Sequence, residues 1–416
     1  MHHDGPGSGA LHCGGGLTAM TLKLSYPATA EDYRARARAR LPRFLFDYLD
    51  GGATDEQTLR ANETEWDGIK LRQRVLIDVD QVDTTSTLAG ETCDMPMVLA
   101  PLGLAGMMAR RGEVQAARSA EAAGIPFTLS TVGICPVEEV QTAVSKAAWF
   151  QLYMIRDRAR IEALLDKAWA AGCRTLVFTV DLPQPGMRHR DLRNGLSNSG
   201  ARAKALKAVQ LLSRPGWLWD VAVRGGPLNF GNLSDVVPNA GDLDAFKSWI
   251  DAQFDPTVTW ADIEWLRRHW KGTLLLKGIL DGEDARQAVS VGADGIIVSN
   301  HGGRQLDGVA SGASKLPEIV AAVGSETELL VDGGIRSGVD IFRALALGAR
   351  GVMIGRPWAW ALAGGGEAGL NNLLASLQQE LRLAMTLTGV TRIADIGTDQ
   401  LDRNSNPEPG KLGEQQ

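Results

Sequence analysis

The sequence predicts an α/β fold: a (β/α)8 barrel of the TIM type, with an N-terminal helical preface and a long insertion after strand 4. Two observations predict the barrel. Eight short apolar runs recur from residue 97, namely "MVLAP", "FTLST", "WFQLY", "TLVFTVD", "TLLLKG", "GIIVSN", "LLVDGG" and "GVMIG". Between most of them lie amphipathic stretches such as "RARIEALLDKAWAAG" and "GVDIFRALALGA", with apolar residues at helical spacing and glycine at the end. Strands that are apolar throughout and alternate with helices pair in parallel and are covered on both faces. A doubly wound open sheet is the competing arrangement. It needs a G-x-G-x-x-G turn after its first strand, and "GLAGMMARRG" does not match.

Residues 1–23 are Gly-rich, hold half of the six histidines and lack the basic and apolar regions of a signal peptide. They are expected to be an extension outside the fold, with Met20 a second candidate start. A single domain is expected over 24–400. It opens on the helical "TAEDYRARARARLPRFLFDYLDGGA", and the barrel begins at about 97. The insertion covers about 188–258, far longer than a usual loop. A flexible tail is expected over 401–416.

The chain has 416 residues, 44% hydrophobic and 22% charged, enough to bury a large core. A formal net charge of −6 argues against a nucleic-acid partner. The four cysteines, Cys13, Cys93, Cys135 and Cys173, show neither C-x-x-C nor paired spacing. They read as reduced thiols, and no metal site is expected. No apolar run reaches the ~18 residues of a membrane-spanning helix.

In an α/β barrel, chemistry gathers at the C-terminal ends of the strands. Those ends carry Gly103, Ser130 with Thr131, Gln151 with Tyr153, and Thr179 with Asp181. The second half adds Lys277, Ser299 with His301 and Arg304, Asp332 through Arg336, and Gly355 with Arg356. Taken singly, each has a structural explanation: a tyrosine packs, a threonine caps, a lone histidine is satisfied in place. Together they bring a base, carboxylates, fixed cations and neutral donors to one mouth. "SNHGGRQLDG" sets a histidine and an arginine on a glycine hinge directly after a buried strand. "DGGIRSG" and "IGRP" follow strands seven and eight, where barrels commonly bind phosphate. Tight turns explain their glycines but not Arg336 and Arg356, which suit a phosphate. An esterase reading of "HGG" fails, because no serine has glycine at both −2 and +2. The alternative from another class is a non-catalytic phosphate-binding barrel, against which stand His301, Asp181 and Lys277.

These motifs, with "FQLY", "FTVD" and "LLLKGI" in the same order, resemble the FMN-dependent L-2-hydroxy acid dehydrogenase and oxidase family. The resemblance runs from about Tyr33 to "AMTLTGV" near residue 390. "RRGEVQAA", "GIPFTLST", "FDPTVTW" and "KGILDGEDAR" are most similar to its bacterial respiratory L-lactate dehydrogenases. The resemblance implies FMN as cofactor and oxidation of L-lactate, or a similar L-2-hydroxy acid, to the 2-oxo acid. A quinone or cytochrome would take the electrons. An oxygen-using oxidase and a mandelate dehydrogenase are the alternatives within the family. It also implies a homo-oligomer, a tetramer, peripheral to the cytoplasmic side of the inner membrane.

By the family's pattern His301 is the base, and Asp181 pairs with it. Arg304 and Arg188 clamp the substrate carboxylate, Tyr48 contacts it, and Tyr153 lies near the substrate oxygen. Lys277 sits at the flavin's N1 and O2 edge, where a fixed ammonium favours the reduced anion. Gln151, Thr179 and Ser130 hydrogen-bond the ring, and Ala100 and Gly103 pass close to it. Ser299, Asp332, Gly334, Arg336, Gly355 and Arg356 hold the ribityl phosphate. Two positions depart from the plant-type glycolate oxidases. Val132 replaces a tryptophan and Gly103 an alanine, and both changes are expected to open space. The insertion is basic at Arg188, Arg190, Arg193, Arg202, Lys204, Lys207 and Arg214, opposed by Asp191. Interleaved are Leu206, Val209, Leu211 and Leu212, followed by Trp217 and Trp219. Such a segment suits a membrane interface, the alternative being a solvated lid.

Overall fold

Eight parallel strands form one sheet: β1 (Met97–Leu99), β2 (Thr128–Ser130), β3 (Trp149–Leu152), β4 (Thr175–Thr179), β5 (Thr273–Ile279), β6 (Gly295–Val298), β7 (Glu328–Asp332) and β8 (Gly351–Ile354). The order is β1-β8-β7-β6-β5-β4-β3-β2, and a parallel bridge between Leu99 and Phe127 closes the ring. Every strand predicted from the sequence is present. The computed structural model describes residues 26–198, 200–234 and 253–402. The expected extension at 1–23, with Cys13, lies outside these residues, as do part of the insertion and the tail beyond Asp402. Leu401, expected to begin the tail, is buried and bridges Leu71.

Alternation along the strands divides the core in two. Leu99, Leu129, Phe150, Phe178, Leu276, Val298, Val331 and Ile354 point outward, into the core beneath the helices. Val98, Trp149, Val177, Leu275, Ile297, Leu330 and Met353 point inward and pack together in the barrel. Successive side chains on a strand face opposite ways, so the next inward position lies two residues further along. Those positions are Ala100, Ser130, Gln151, Thr179, Lys277, Ser299, Asp332 and Gly355. One step of the pleat turns an apolar plug into a largely polar floor.

The barrel's other end is closed by a hairpin that the sequence reading did not foresee, Ser86–Leu88 paired with Glu91–Cys93. Its two-residue turn places Ala89 at φ 50° and Gly90 at φ 79°, the left-handed pair that a tight hairpin requires. Leu88 and Cys93 enter the interior core. Both Glu328 oxygens accept the Ala89 N–H, at 3.0 and 3.1 Å, and Glu91 accepts Trp149 Nε1–H at 2.8 Å.

The preface consists of α1 (Ala30–Arg40), α2 (Arg43–Asp50) and α3 (Gln57–Gly68). Thr29 caps α1 through a reciprocal pair with Asp32. Tyr33 of α1 packs against Gly365 and Gly369 of the long helix Arg356–Thr388, where a Cβ would come within 3.3 and 3.1 Å of its ring. Helices α2 and α3 lie over the mouth of the barrel and supply part of the site. The described part of the insertion contains helices His189–Arg193 and Ala201–Leu212, then the turns through Val223. It is bound to the preface. Gln210 Oε1 accepts the Phe44 N–H at 2.8 Å, Arg40 pairs with Asp220 at 2.6 Å, and Arg214 donates to the Leu41 carbonyl at 3.1 Å.

Burial raises Glu91 above its ordinary value, against the opposing pull of Trp149 and Lys146. A carboxyl raised on folding adds stability below its unfolded pKa and loses it as pH rises through the folded one. At neutral pH the ionised Glu91 therefore opposes folding. Glu91→Gln keeps an acceptor for Trp149 and removes the charge. Thermal unfolding at pH 7 should show a gain on the order of 1 kcal/mol, fading as the pH falls to the carboxylate range. A destabilised variant at pH 7 would contradict this.

Candidate active site

After β6 the chain makes a left-handed turn through His301 (φ 57°), Gly302 (φ 63°) and Gly303 (φ 71°). A histidine there is strained, by about 1–2 kcal/mol, so something must hold it. At its entry, Asn300 and Asn62 of α3 exchange amide hydrogen bonds at 2.8 and 2.9 Å, and the His301 N–H donates to Ser299 Oγ at 3.0 Å. On the far side Gly303 presses on α3, where a Cβ would lie 2.6 Å from the Leu59 nitrogen, and its carbonyl accepts the Ala53 N–H at 2.8 Å. Asp307, further along the loop, accepts from Thr58 N at 2.8 Å and Thr54 Oγ1 at 2.7 Å at the start of α3. Burial alone would raise Asp307, but these donors hold it well below the usual range. The turn is a clamp on α3.

His301 Nδ1 meets Asp181 Oδ1 at 2.8 Å, which leaves Nε2 for a substrate. Burial would raise Asp181, yet His301's charge and hydrogen bond, with Lys277 behind, hold it below the ordinary carboxylate range. Lys277 Nζ pairs with Asp332 Oδ2 at 2.7 Å and donates to Ser299 Oγ at 2.8 Å. Burial opposes its charge, but Asp332 and Asp181 keep its pKa raised. Round the barrel from Lys277, Thr179 is its partner on the next strand, and Ser130 Oγ donates to Gln151 Oε1 and Gln151 Nε2 to Thr179 Oγ1, each at 3.0 Å. This chain fixes the orientation of the Gln151 amide.

Two arginines lie against the Tyr48 ring, Arg304 at 4.9 Å from its centroid and Arg188 at 5.8 Å. Arg304 Nη1 donates to the carbonyls of Tyr48, at 2.6 Å, and Gly51, at 3.0 Å. Burial and Arg188 push Arg304 down to about 10, so it stays charged at neutral pH. Tyr153 stands edge-on to Phe254 at 5.5 Å, its phenol pushed up by burial and by Asp181.

One cleft is lined by Tyr48, Ala100, Gly103, Tyr153, Thr179, Arg188, Lys277, His301, Arg304, Asp332, Gly334, Gly355 and Arg356. Asp181, Ser130, Gln151 and Ser299 stand behind that wall and are bonded to it. Arg336 stands apart, its guanidinium paired with Glu63 and 4.9 Å from the Trp360 ring. The Arg356 fork is engaged by backbone: it donates to the carbonyls of Asp50, Gly51 and Gly302, at 3.2, 2.8 and 2.9 Å, and burial pushes it down to about 9. Nor does Gly103 open space: a Cβ there would lie 2.8 Å from Val132 Cγ2, so the valine occupies the room the glycine leaves.

Sequence reasoning missed Asn62, Asp307 and Trp66, whose Nε1–H donates to the Gly333 carbonyl at 2.8 Å, and it gave Asn300 of the "SNHGGRQLDG" hinge no role. Only Asn62 carried a signal, a polar residue at a buried helical position. A Cβ at Gly334 would lie 1.6 Å from the Asn62 carbonyl oxygen, so α3 also shapes the loop after β7.

The FMN-dependent dehydrogenase family model matches residues 37–403. An L-lactate dehydrogenase of Xanthomonas axonopodis pv. citri is 53% identical over 376 residues, 90% of this chain and 96% of that protein. One from Yersinia pestis is 52% identical over 374 residues, 90% of this chain and 98% of the relative. Among solved structures, the monotopic membrane protein (S)-mandelate dehydrogenase superposes with a TM-score of 0.85 at 34% identity, covering 91% of this chain and 100% of that one. A mandelate oxidase with (S)-4-hydroxymandelic acid gives 0.77 at 38%, covering 90% and 98%. Family model, relatives and architecture agree, and the chain belongs to the FMN-dependent dehydrogenases.

Proposed function

We propose that this enzyme oxidises L-lactate, or a closely similar L-2-hydroxy acid, to the 2-oxo acid and passes the electrons to a quinone or cytochrome at a membrane surface. The observation that carries the reading is a histidine backed by a carboxylate, in one cleft with two arginines that both lie against the Tyr48 ring. Among the described residues no carboxylate forms a salt bridge with Arg304. An anion between the guanidiniums relieves their repulsion, and a substrate carboxylate anchored there brings its hydroxyl-bearing carbon toward His301. His301 accepts a substrate proton at Nε2, and Asp181 holds the ring and stabilises the imidazolium. Tyr153, its phenol kept protonated, donates toward the substrate oxygen.

The cleft residues suit FMN. Asp332 Oδ1 is buried without a hydrogen-bond partner among the described residues and lines the cleft, an acceptor for the hydroxyls of a polar chain. Gly333 and Gly334 at φ 92° and 82° bring backbone close to that site. Lys277 offers its charge at the floor, with Thr179 beside it on the next strand and Gln151 and Ser130 beyond. Bound FMN supplies the two-electron acceptor that the oxidation requires. The names of the relatives at 52–53% identity favour lactate. A larger acid such as mandelate is the second reading, favoured by the apolar Val132, Phe230 and Phe254 on the cleft wall.

The insertion's outer face supports membrane contact. Val209 is 64% exposed, Leu212 74% and Trp219 63%, with Arg193, Arg202 and Lys204 exposed nearby. The expectation is narrowed in three places. Trp217 is buried, its indole N–H donating to the Met107 carbonyl at 2.8 Å, Leu211 packs against the core, and Arg188 and Arg190 turn inward. No helix among the described residues is long and apolar enough to cross a membrane. The attachment proposed is peripheral, on the cytoplasmic side of the inner membrane, by a homo-oligomer.

Two experiments follow. Purified protein should release FMN on denaturation, and its flavin should bleach anaerobically with L-lactate. His301→Ala should keep the FMN and lose roughly 10²–10⁴-fold in reduction rate. A loss below about tenfold would remove His301 as the base, and a higher kcat/KM for (S)-mandelate than for L-lactate would select the second reading. In co-sedimentation, anionic vesicles should pellet the intact protein less well as salt rises. The triple variant Val209→Asp, Leu212→Asp, Trp219→Ser should stay in solution. Equal pelleting of the two proteins, or of neither, would contradict attachment through this face.

A further inference from the structure

The Arg188 side chain enters the cleft with no hydrogen bond among the described residues to place it. Its Nε is buried and unpartnered among the described residues, and Asp191 Oδ2 lies 4.0 Å from its Nη1, beyond hydrogen-bond reach. It also faces a like charge, since Arg304 shares the same tyrosine. An empty clamp of two guanidiniums tends to open. Arg188 is the N-cap of a helix of only 5 residues, His189–Arg193, too short to hold itself in place. Its position must therefore come from tertiary ties.

Those ties bracket Arg188 on both sides. One residue earlier, the Met187 carbonyl accepts the Thr54 N–H at 2.8 Å. Two residues later, Arg190 donates from Nη1 to Asp50 Oδ2 at 2.8 Å and from Nη2 to Glu56 Oε2 at 2.5 Å. Asp50 has a side chain only 1% exposed, and Arg34 grips the same carboxylate at 2.6 and 2.9 Å. Despite its burial the two arginines keep Asp50 below the ordinary range. Gly51, the next residue, gives its carbonyl to Arg304. Residues 50 and 51 thus reach both halves of the clamp, Arg304 through backbone and Arg188 through the Arg190 ion pairs.

We propose that Arg190, held by Asp50 and Glu56, is a positioning residue that sets the separation of Arg188 from Arg304 and thereby the affinity for the substrate carboxylate. This rests on the reading of Arg188 as a carboxylate-binding residue. Arg190 lines no part of the cleft and acts through the helix that carries Arg188.

The test is anaerobic stopped-flow reduction of the FMN-loaded protein by L-lactate, which separates apparent affinity from the limiting rate. Arg190→Leu should weaken apparent affinity about tenfold and change the limiting rate less, and Arg190→Lys should recover part of the loss. In an Arg188→Ala background, Arg190→Leu should have no further effect. Glu56→Gln removes a single tie and should give a smaller loss in the parent and none in Arg188→Ala, so a misfolded Arg190→Leu leaves the prediction testable. Equal losses in both backgrounds, or unchanged affinity in the parent, would overturn the positioning role. Unchanged affinity in Arg188→Ala alone would overturn the clamp reading itself.

Discussion

The reciprocal amide pair between Asn62 and Asn300 joins a helix that precedes the barrel to the loop that carries the base, and much of the site depends on it. Both side chains are buried, and each amide satisfies the other's donor and acceptor. A half-broken pair would leave a polar group unsatisfied in the interior, at a cost of about 1–3 kcal/mol. That cost keeps the chain in its left-handed turn at His301, which in turn brings the imidazole against Asp181. The same face of α3 seats the glycines after β7, through Asn62 and Trp66.

Electrostatics complete what the clamp begins. Arg304 and Arg356 both donate to carbonyls at the C-terminal end of α2, where a helix presents its negative pole and its unpaired acceptors. Their charges are stabilised there without being cancelled by a carboxylate. Lys277 differs, since Asp332 lies beside it. The mouth therefore keeps an excess of positive charge on its arginine side. The Lys277 charge sits on the floor below.

The barrel was legible in the sequence because eight apolar runs separated by amphipathic helices leave few other packings. Most of the candidate site was legible because its polar residues interrupt the upper ends of those runs. Which of two alternating faces points inward was not legible, since a strand such as Thr175–Thr179 is buried on both sides. The grip of α3 was also hidden: Asn62 and Asn300 are 238 residues apart, and nothing local to either predicts the pair. Residue type misled at Arg356, whose guanidinium serves backbone carbonyls. At Gly103, composition suggested a void that Val132 fills. The Ser86–Cys93 hairpin was too short for periodicity to register, although its Ala-Gly turn carried a weak signal.

Helix α3 sets the geometry at His301 through Asn62. The direct measurement is the limiting rate of anaerobic flavin reduction at saturating L-lactate in Asn62→Ala, with FMN content determined on the same sample. With FMN still bound, the rate should fall on the order of 10–100-fold, as a base displaced from its substrate requires. A variant that holds its FMN and reduces it at the parental rate would show that His301 is positioned without the preface.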